Sequence, residues 1–371
     1  MIDQARLKRA ATILAAVVLS ACGNASTAAP GPSLFQPAAK IQRGGASRPS
    51  YVPACPCLYV SNEGDGPYGN GVIDIFPVNA NGNFNPAPNT IGGSNTGILY
   101  PRDVAVGSTG TIYVANSNFG GTDRVTVYTA GSSGNVAPIQ TISGSNTLLS
   151  NIFGIAVDTP GNIYVSSTAI NGPGAGTVNV FAPGATGNVA PIRTISGALT
   201  GIYRPFGLAV DPTGNLYVMN ETTASSWAVS VFAPAANGNV APLRTITGSH
   251  TGFDNDTTGI AWFHGPPPVG RIYVTGNNGV AIFRANVAGN ATPAKTISGA
   301  LTDLNQPGAV ALAPGGRIFV SNLGQNMNGT FDVTKYTSFA GLAPGNNNVA
   351  PIHTIVGGNT DLWLPDGLAV H

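Results

Sequence analysis

The chain has 371 residues with 16 Lys and Arg against 15 Asp and Glu, so charged residues make up only 8% of it. A formal net charge of +1 gives no basic excess for binding nucleic acid, and 50 Gly with 29 Pro exclude a long helical bundle. Hydrophobic residues at 43% suffice for a core, so the composition predicts an all-β, turn-rich protein.

The amino terminus is typical of an export signal. Arg6 and Lys8 precede an apolar run at 10–19, which is too short to span a bilayer. The following Leu-Ser-Ala-Cys at 19–22 resembles the lipobox of bacterial lipoproteins. This resemblance implies removal of residues 1–21 and lipid attachment to the sulfur of Cys22. The expected location is the bacterial cell envelope, with the lipid in the membrane. Because Gly23 and not Asp follows Cys22, outer-membrane sorting is implied for a Gram-negative source.

Residues 22–50 are predicted to be a flexible tether, because small residues and Pro dominate there without periodicity. Such a segment would hold the folded domain, residues 51–371, about 30 Å from the lipid. After cleavage the chain is nearly neutral, which does not favour electrostatic steering of a charged partner. Cys55 and Cys57 follow the tether. They could form a small local disulfide, act as a redox or metal pair, or remain unpaired or pair between chains.

Internal repeats predict the fold. Closely similar segments read PIQTISG at 138–144, PIRTISG at 191–197 and PLRTITG at 242–248, with weaker copies at 88–93, 293–299 and 351–357. Their central Thr residues are separated by 51, 53, 51, 51 and 58 positions. A period near 50 residues is typical of propeller blades. Each unit contains four short strand-like runs bounded by Gly, Pro and Asn, as expected for a four-stranded antiparallel blade.

The ends of the chain indicate how the ring closes. The first unit begins at Leu58 without an inner strand, and the last ends with an inner strand at 367–371. Together these two halves complete one blade and remove the exposed sheet edges. The prediction is therefore a six-bladed β-propeller of four-stranded blades, closed by pairing the carboxyl-terminal inner strand with the amino-terminal blade.

The repeat P-x-G-[LI]-A-V-D-x-x-G-N-[LI]-Y-V is clearest at 205–218 and 153–165, and it is similar to the NHL repeat of six-bladed propellers. The resemblance spans residues 51–371. It implies the architecture and a binding face formed by the loops that enter each inner strand. It does not select among the protein-binding, RNA-binding, carbohydrate-binding and enzymatic members of that group.

Comparing the six copies separates repeated positions from variable ones. A Thr recurs after every outer strand, with an apolar residue two positions later, which indicates packing between blades. The positions that follow vary, and their large or charged residues form the predicted binding face: Tyr100, Arg102, Phe153, Tyr203, Arg204, Phe206, Trp363 and Asp366. The alternative is that these are ordinary scattered surface aromatics. Four second strands end in Asn, which would either present amides to sugar hydroxyls or simply end strands.

Some six-bladed propellers are enzymes, and their sites require particular channel residues. The resemblance to calcium-dependent lactonases implies acidic and Asn ligands converging on the channel. Asp366 is the only acid among the mouth positions, and Glu63 and Glu221 are predicted to lie away from the channel ring. Propeller lyases need channel His residues, but only His250 falls in a loop on the presumed binding face.

The sequence thus predicts a membrane-anchored binding module for a protein or glycan, without cofactor, metal or nucleic acid, and monomeric. The alternative is a hydrolase or lyase, lactonase-like, at the channel mouth near Asp366. Whether the protein is an enzyme is left open, with binding favoured.

Overall fold

The computed structural model describes residues 56–64, 71–87, 89–118, 121–168, 176–223, 226–254, 258–264, 270–276, 279–326 and 328–371. In chain order its strands are β1 (Cys57–Asn62), β2 (Val72–Pro77), β3 (Pro101–Val106), β4 (Ile112–Asn116), β5 (Arg124–Tyr128), β6 (Gln140–Ser143), β7 (Ile152–Val157), β8 (Ile163–Ser167), β9 (Thr177–Phe181), β10 (Arg193–Ile195), β11 (Arg204–Val210), β12 (Leu216–Thr223), β13 (Ser226–Phe232), β14 (Arg244–Thr247), β15 (Ile260–Phe263), β16 (Arg271–Gly276), β17 (Gly279–Arg284), β18 (Lys295–Ser298), β19 (Pro307–Leu312), β20 (Ile318–Asn322), β21 (Asp332–Tyr336), β22 (Gly345–Asn347), β23 (His353–Val356) and β24 (Pro365–Val370).

The strands form six antiparallel sheets arranged in a ring, which confirms the predicted six-bladed β-propeller. Blade 1 contains β24, β1 and β2. Blades 2, 3 and 4 contain β3–β6, β7–β10 and β11–β14 in order. Blade 5 contains β15–β18 with β22 added at its outer edge in parallel, and blade 6 contains β19, β20, β21 and β23. Each inner strand packs against the inner strand of the next blade, and β19 packs against β24.

The ring closes at two places. At the inner edge, β24 pairs antiparallel with β1, as the sequence predicts, and the amide of Cys57 donates to the carbonyl of His371 at 2.7 Å. At the outer edge, the amide of Gly82 in blade 1 donates to the carbonyl of Thr354 in blade 6 at 2.7 Å. The outermost strand of blade 1 is reduced to a single bridge between Ile73 and Ile91. Blade 1 therefore has three strands and a single outer bridge, and hydrogen bonds close the ring at both its inner and its outer edge.

The core lies between neighbouring blades rather than in one central mass. Strand alternation turns one side of each sheet toward the preceding blade and the other toward the next. Between blades 3 and 4, for example, Tyr164 and Val178 pack against Leu216 and Phe232, all of them almost fully buried. Each blade thus depends on its neighbours for burial of its apolar surface, which explains why the ring must close.

Cationic side chains also link successive blades. Each reaches a backbone carbonyl of the following blade: Arg193 to Pro234 at 2.5 Å, Arg244 to Ala285 at 2.6 Å, Lys295 to Phe339 at 2.6 Å and Lys335 to Val78 at 2.7 Å. Arg193 and Arg244 also lie over the rings of Tyr164 and Tyr217 within their own blades. These charge-assisted hydrogen bonds join neighbouring blades at the blade boundary.

The two faces of the ring differ in their connections. The loop face carries the segments that enter each inner strand and those joining the second and third strands, including residues 96–100 and 200–203. The turn face carries the connections from first to second and from third to fourth strands, including residues 107–111 and 211–215. The described residues contain no helix with the length and apolar character required to cross a bilayer. Cys22, the segments 1–21 and 22–50, and Cys55 lie outside the described residues, so lipidation and a Cys55–Cys57 pairing stay predictions.

Candidate functional site

The loops entering the inner strands are fixed by a six-fold repeated set of hydrogen bonds. In the loop before β11, Thr200 Oγ1 donates to the carbonyl of Gly197 at 2.7 Å and accepts from the amide of Ile202 at 3.1 Å. Asn239 of the next blade accepts from the amide of Leu199 at 2.7 Å. A Cβ at Gly197 would lie 2.6 Å from the Asn239 side chain, so only Gly fits. The repeated Thr is therefore structural, as the sequence indicates.

The strand-ending Asn residues have the structural role, not the sugar-binding one. Asn62, Asn116, Asn220 and Asn322 are all fully buried. Each accepts a hydrogen bond from a loop amide, such as that of Tyr203 on Asn220 at 2.9 Å and that of Trp363 on Asn62 at 3.2 Å. Because the side-chain amides of these Asn residues make hydrogen bonds inside the protein, they cannot form a ring that faces a ligand. They hold the backbone of the variable positions in place.

Two predicted binding residues stand out on this rigid backbone. Tyr100 is 38% exposed and Trp363 is 43% exposed, and they lie in the loops that enter the adjacent inner strands β3 and β24. The ring of Trp363 contacts that of Phe331 edge-on at 5.6 Å, which fixes its orientation. Tyr203 is half-buried in the loop before β11. The loop face thus presents aromatic surface whose backbone is already ordered, which lowers the entropic cost of binding.

At the channel mouth, a buried arginine joins two acids. Arg102 Nη1 lies 2.6 Å from Glu63 Oε1 and 3.3 Å from Asp366 Oδ2. The guanidinium also lies 5.7 Å from the ring centroid of Phe153. Glu63 follows β1 in the loop between the second and third strands, and its side chain reaches Arg102 at the mouth, nearer the channel than the sequence predicts. Glu221 pairs with Arg204 at 3.0 Å, and neither residue lines the cavity at the mouth.

The aromatic side of the mouth is packed rather than open. Phe206 is buried, with its ring 5.0 Å from Phe153 and 5.2 Å from Trp227. Arg204 lies over Phe206 at 5.8 Å. Phe206, Arg102 and Asp366 are therefore not exposed contact residues, contrary to what a binding-face assignment requires. Phe153 and Arg204 are partly exposed. Among the predicted site residues, Tyr100 and Trp363 offer most surface to a partner.

A cavity of about 70 Å³ lies among these residues and the small side chains of blades 5 and 6. Arg102, Asp103, Phe153 and Asp366 line one side, and Thr258 and Gly308 line the other. The cavity is large enough for about two water molecules. It combines an ionic wall, an aromatic wall and a wall of small residues.

Asp103 is the channel acid that sequence reasoning missed. In four blades a hydroxyl on the second strand accepts the amide of the inner-strand residue at the bulge, as Ser166 does for Gly154 at 2.7 Å. In blade 2 that second-strand position is Ala115, and the inner-strand residue is Asp103. Its carboxylate accepts the amides of Val104 and Ile155, each at 2.9 Å.

The environment of Asp103 changes its protonation. Burial raises the pKa of Asp103 to about 7, and the charge of Asp366 adds to the rise, while the two backbone hydrogen bonds oppose it. A Cβ at Gly367 would lie 2.5 Å from Asp103, so this acid fits only opposite a Gly. The sequence signal that points to Asp103 is an acid at the inner-strand position that is Gly or Ala in the other five blades.

Within the described ranges, no three or more His, Cys, Asp or Glu side chains are grouped so that they could hold a metal ion. The positive charge between Glu63 and Asp366 is supplied by Arg102. His250 lies exposed in the loop after β14, where its amide donates to Asn290, and it does not line the described cavity. The arrangement can offer hydrogen bonds and one acid that titrates near neutrality.

Neither a protein-family model nor a curated protein matches the chain. Solved structures do match the chain. A protein of unknown function from Bacteroides caccae is 12% identical with a TM-score of 0.55, covering 85% of this chain and 99% of that one. The PQQ-bound aldose sugar dehydrogenase of Streptomyces coelicolor is 14% identical with a TM-score of 0.50, covering 72% and 90%. At these identities the similarity shows the propeller fold alone.

Proposed function

We propose that this protein is a lipid-anchored propeller of the bacterial cell envelope whose loop face binds a glycan. The observation that carries the proposal is the pair of exposed rings, Tyr100 and Trp363, on backbones fixed by internal hydrogen bonds. Such exposure has no role in the core. Aromatic rings present flat apolar surface to sugar rings at a low cost in conformational entropy.

Binding is expected to depend on Trp363 more than on any residue of the channel. Buried by a ligand, such a ring contributes about 1–3 kcal/mol, so Trp363→Ala should weaken binding about tenfold or more. Leu199 is 63% exposed in an equivalent loop of another blade and makes a matched control. Leu199→Ala should leave affinity unchanged. Leu199→Ala should change the free energy of unfolding by less than about 1 kcal/mol. Trp363→Ala should cost about 1–2 kcal/mol, because the Trp363 ring packs against Phe331.

The test begins with an array of cell-wall and exopolysaccharide glycans, followed by titration of the best binder. Trp363 is the exposed member of three tryptophans, while Trp227 is buried, so stacking on Trp363 should change the intrinsic fluorescence. An array without any binder would overturn the glycan proposal and leave a protein partner as the alternative. Equal affinities of the Trp363→Ala and Leu199→Ala variants would remove the site assignment.

The anchor is tested separately. Lipid attachment at Cys22 predicts that the wild-type protein incorporates labelled fatty acid and fractionates with membranes. The Cys22→Ser variant should lose the label. A label retained by this variant would contradict the lipoprotein proposal without bearing on the loop face.

A hydrolase or lyase at the channel mouth is the second candidate. It is favoured by the cavity in which Asp103, Asp366 and Arg102 meet, because an acid with a pKa of about 7 can exchange a proton near neutral pH. The test is lactone hydrolysis by the wild type and by Asp103→Asn, together with melting in the presence of Ca²⁺. Turnover abolished by Asp103→Asn would support the enzyme. Absence of turnover and of a calcium-dependent shift would remove it.

A further inference from the structure

The near-zero net charge conceals a separation of charges between the two faces. Among the described residues, the Arg residues at the loop ends are Arg102, Arg124 and Arg204, and the acids there are Glu63, Asp103, Asp123, Glu221, Asp254, Asp303, Asp332, Asp361 and Asp366. At the turn ends, the described cations are Arg193, Arg244, Arg271, Arg284, Lys295, Arg317 and Lys335, and the acids are Asp158 and Asp211. The turn face is therefore basic and the loop face acidic.

Register places the cations of blade 5 together at one end. Phe263 pairs with Arg271, and Arg271 pairs with Arg284, at the turn end of that sheet. Arg271 and Lys295 both lie over the ring of Phe339, at 3.9 and 4.0 Å from its centroid. Burial and the nearby Arg271 lower the pKa of Lys295. Positive charge is thus concentrated here.

The same crowding of cations extends into blade 6. Burial and the charge of Arg317 lower the pKa of Lys335. Burial, then Lys335 and Arg317, lower the pKa of His353. Arg284 and Arg317 are exposed on this face, so their charges are accessible to a partner.

Exposed aliphatic side chains accompany these cations. Ile139, Ile192, Leu243 and Ile352 occupy the same repeat position, directly before the outer strands of blades 2, 3, 4 and 6, and are 49–59% exposed. Their amides are bonded to the third strand at 2.7–2.8 Å, so the backbone is part of the sheet. Equivalent positions of a closed ring lie at the same height. The four side chains therefore lie at one level near the turn face.

We propose that the turn face is a membrane-contact surface that rests on anionic lipid headgroups. A bilayer offers phosphates to the cations and an interfacial region to aliphatic side chains at a common level. A nucleic acid would account for the cations but not for the aliphatic residues. In the sequence, the segment 22–50 carries Lys40, Arg43 and Arg48 and no acid, so its charge also favours an anionic bilayer. In this orientation the acidic loop face is turned away from the bilayer.

The experiment uses the chain from residue 22 with Cys22→Ser, so that no acyl chain contributes. All strands of the closed ring lie after residue 56, so this chain contains the complete described fold. Co-sedimentation is measured with vesicles of phosphatidylglycerol and phosphatidylcholine in equal parts, and with phosphatidylcholine alone. Binding to the anionic vesicles should exceed binding to the neutral ones and should decrease as salt is added.

Two variants test the face itself. Arg284→Ser with Arg317→Ser should weaken binding to anionic vesicles by more than tenfold, at about fivefold for each charge. Ile192→Ser with Leu243→Ser should also weaken vesicle binding relative to the parent chain. This loss should be larger at high salt than at low salt, because salt screens the contribution of the charges. The matched control is Leu199→Ser with Leu301→Ser, which removes equally exposed leucines from the loop face. This control should bind like the parent chain. Unchanged melting temperatures show that each variant is folded.

Equal vesicle binding by the parent chain and the double arginine variant would overturn the proposal, as would an equal loss in the leucine control. If the chain bound soluble polyphosphate with the same affinity as anionic vesicles, and if the Ile192 and Leu243 substitutions left that affinity unchanged, the turn face would be assigned to a polyanion instead. Because the chain is unacylated and carries no glycan, these outcomes are independent of the lipid anchor and of the loop-face proposal.

Discussion

Asp74 makes the stability of this propeller dependent on pH. It lies fully buried in β2, where Thr90 donates to its carboxylate at 2.6 Å and Asn62 donates to its other oxygen. Burial raises the pKa of Asp74 to about 8, and the charge of Asp361 adds to this, while the two hydrogen bonds oppose it. In the unfolded chain the pKa is near 3.8. The folded protein therefore holds a proton that the unfolded chain releases.

The sign follows from this difference. Between about pH 4 and pH 8 the folded state binds more protons, so the free energy of unfolding falls as pH rises. Each pH unit in that window is worth about 1.4 kcal/mol, which makes the full effect several kcal/mol. Asp103, with a pKa of about 7, and Asp332, with a pKa of about 6, add to the same slope over narrower windows. The protein should therefore be more stable at pH 5 than at pH 8.

Asp74→Asn removes the titration while keeping the shape of the protonated acid. Its oxygen can accept from Asn62, and its amide can donate to a rotated Thr90 hydroxyl. Urea unfolding at pH 5 should show a small change. At pH 8 the variant should be more stable than the wild type by about 2–4 kcal/mol. This is less than the free energy that the whole pKa difference would give.

Asp211→Asn provides the control. Burial opposes ionisation of Asp211, but hydrogen bonds from Thr213 and Asn215 outweigh it, so its pKa is lowered. Its contribution is present above the unfolded pKa and is lost only as pH falls into the acidic range, so this variant should shift stability equally at pH 5 and pH 8. An Asp74→Asn variant that is equally destabilised at both pH values would refute the burial argument.

Three further perturbations test the fold. Deleting residues 364–371 removes β24, so cooperative unfolding should be lost or the protein should aggregate; an unchanged melting curve would contradict closure through blade 1. Ile202→Ala should cost about 2–4 kcal/mol in urea unfolding, because Ile202 is fully buried between blades; a cost below about 1 kcal/mol would show that the interface can collapse. Leu148→Gly should stabilise the protein by up to about 1 kcal/mol, since Leu148 is 56% exposed at a φ of 58°; a loss of stability would mean that its contacts outweigh its strain.

The repeat made the architecture predictable. A constant spacing of the Thr-Ile segments and the half-units at the two ends sufficed to predict six blades and the shared blade 1. The outer closure at Gly82 and Thr354 was not predicted, because parallel bridges of one or two residues leave no periodic signal. The wide spacing before Thr354 has a structural cause. An inserted turn at Phe339–Gly341 and the added strand β22 fill it.

The site was less predictable because ring closure brings distant residues together. Glu63 and Arg102 belong to different blades, and Asp366 is separated from Arg102 by 264 positions, yet all three meet at one ion-pair cluster. Position within the repeat indicated that Asp366 and Arg102 lie at the mouth. It did not show that their charges are mutually compensated, nor that Phe206 is covered by Trp227.

Departures from the repeat explain where the chemistry of the channel lies. Where the second strand supplies a hydroxyl, the inner-strand amide is satisfied and the channel residue is small, as with Ser61 and Gly367. Two blades lack this hydroxyl. Blade 2 has Ala115 and places Asp103 in the channel, whereas blade 4 has Met219 and keeps Gly207, whose amide donates to the carbonyl of Thr258. That acid lies beside the blade 1 junction, near Asp366 and Arg102.

The exposed Trp363 and Tyr100 lie in the loops that lead into the same two inner strands, β24 and β3. Blade 1 is assembled from β24 together with β1 and β2. A ligand held by Trp363 and Tyr100 would therefore lie above the junction where the ring closes, and its binding should stabilise that closure.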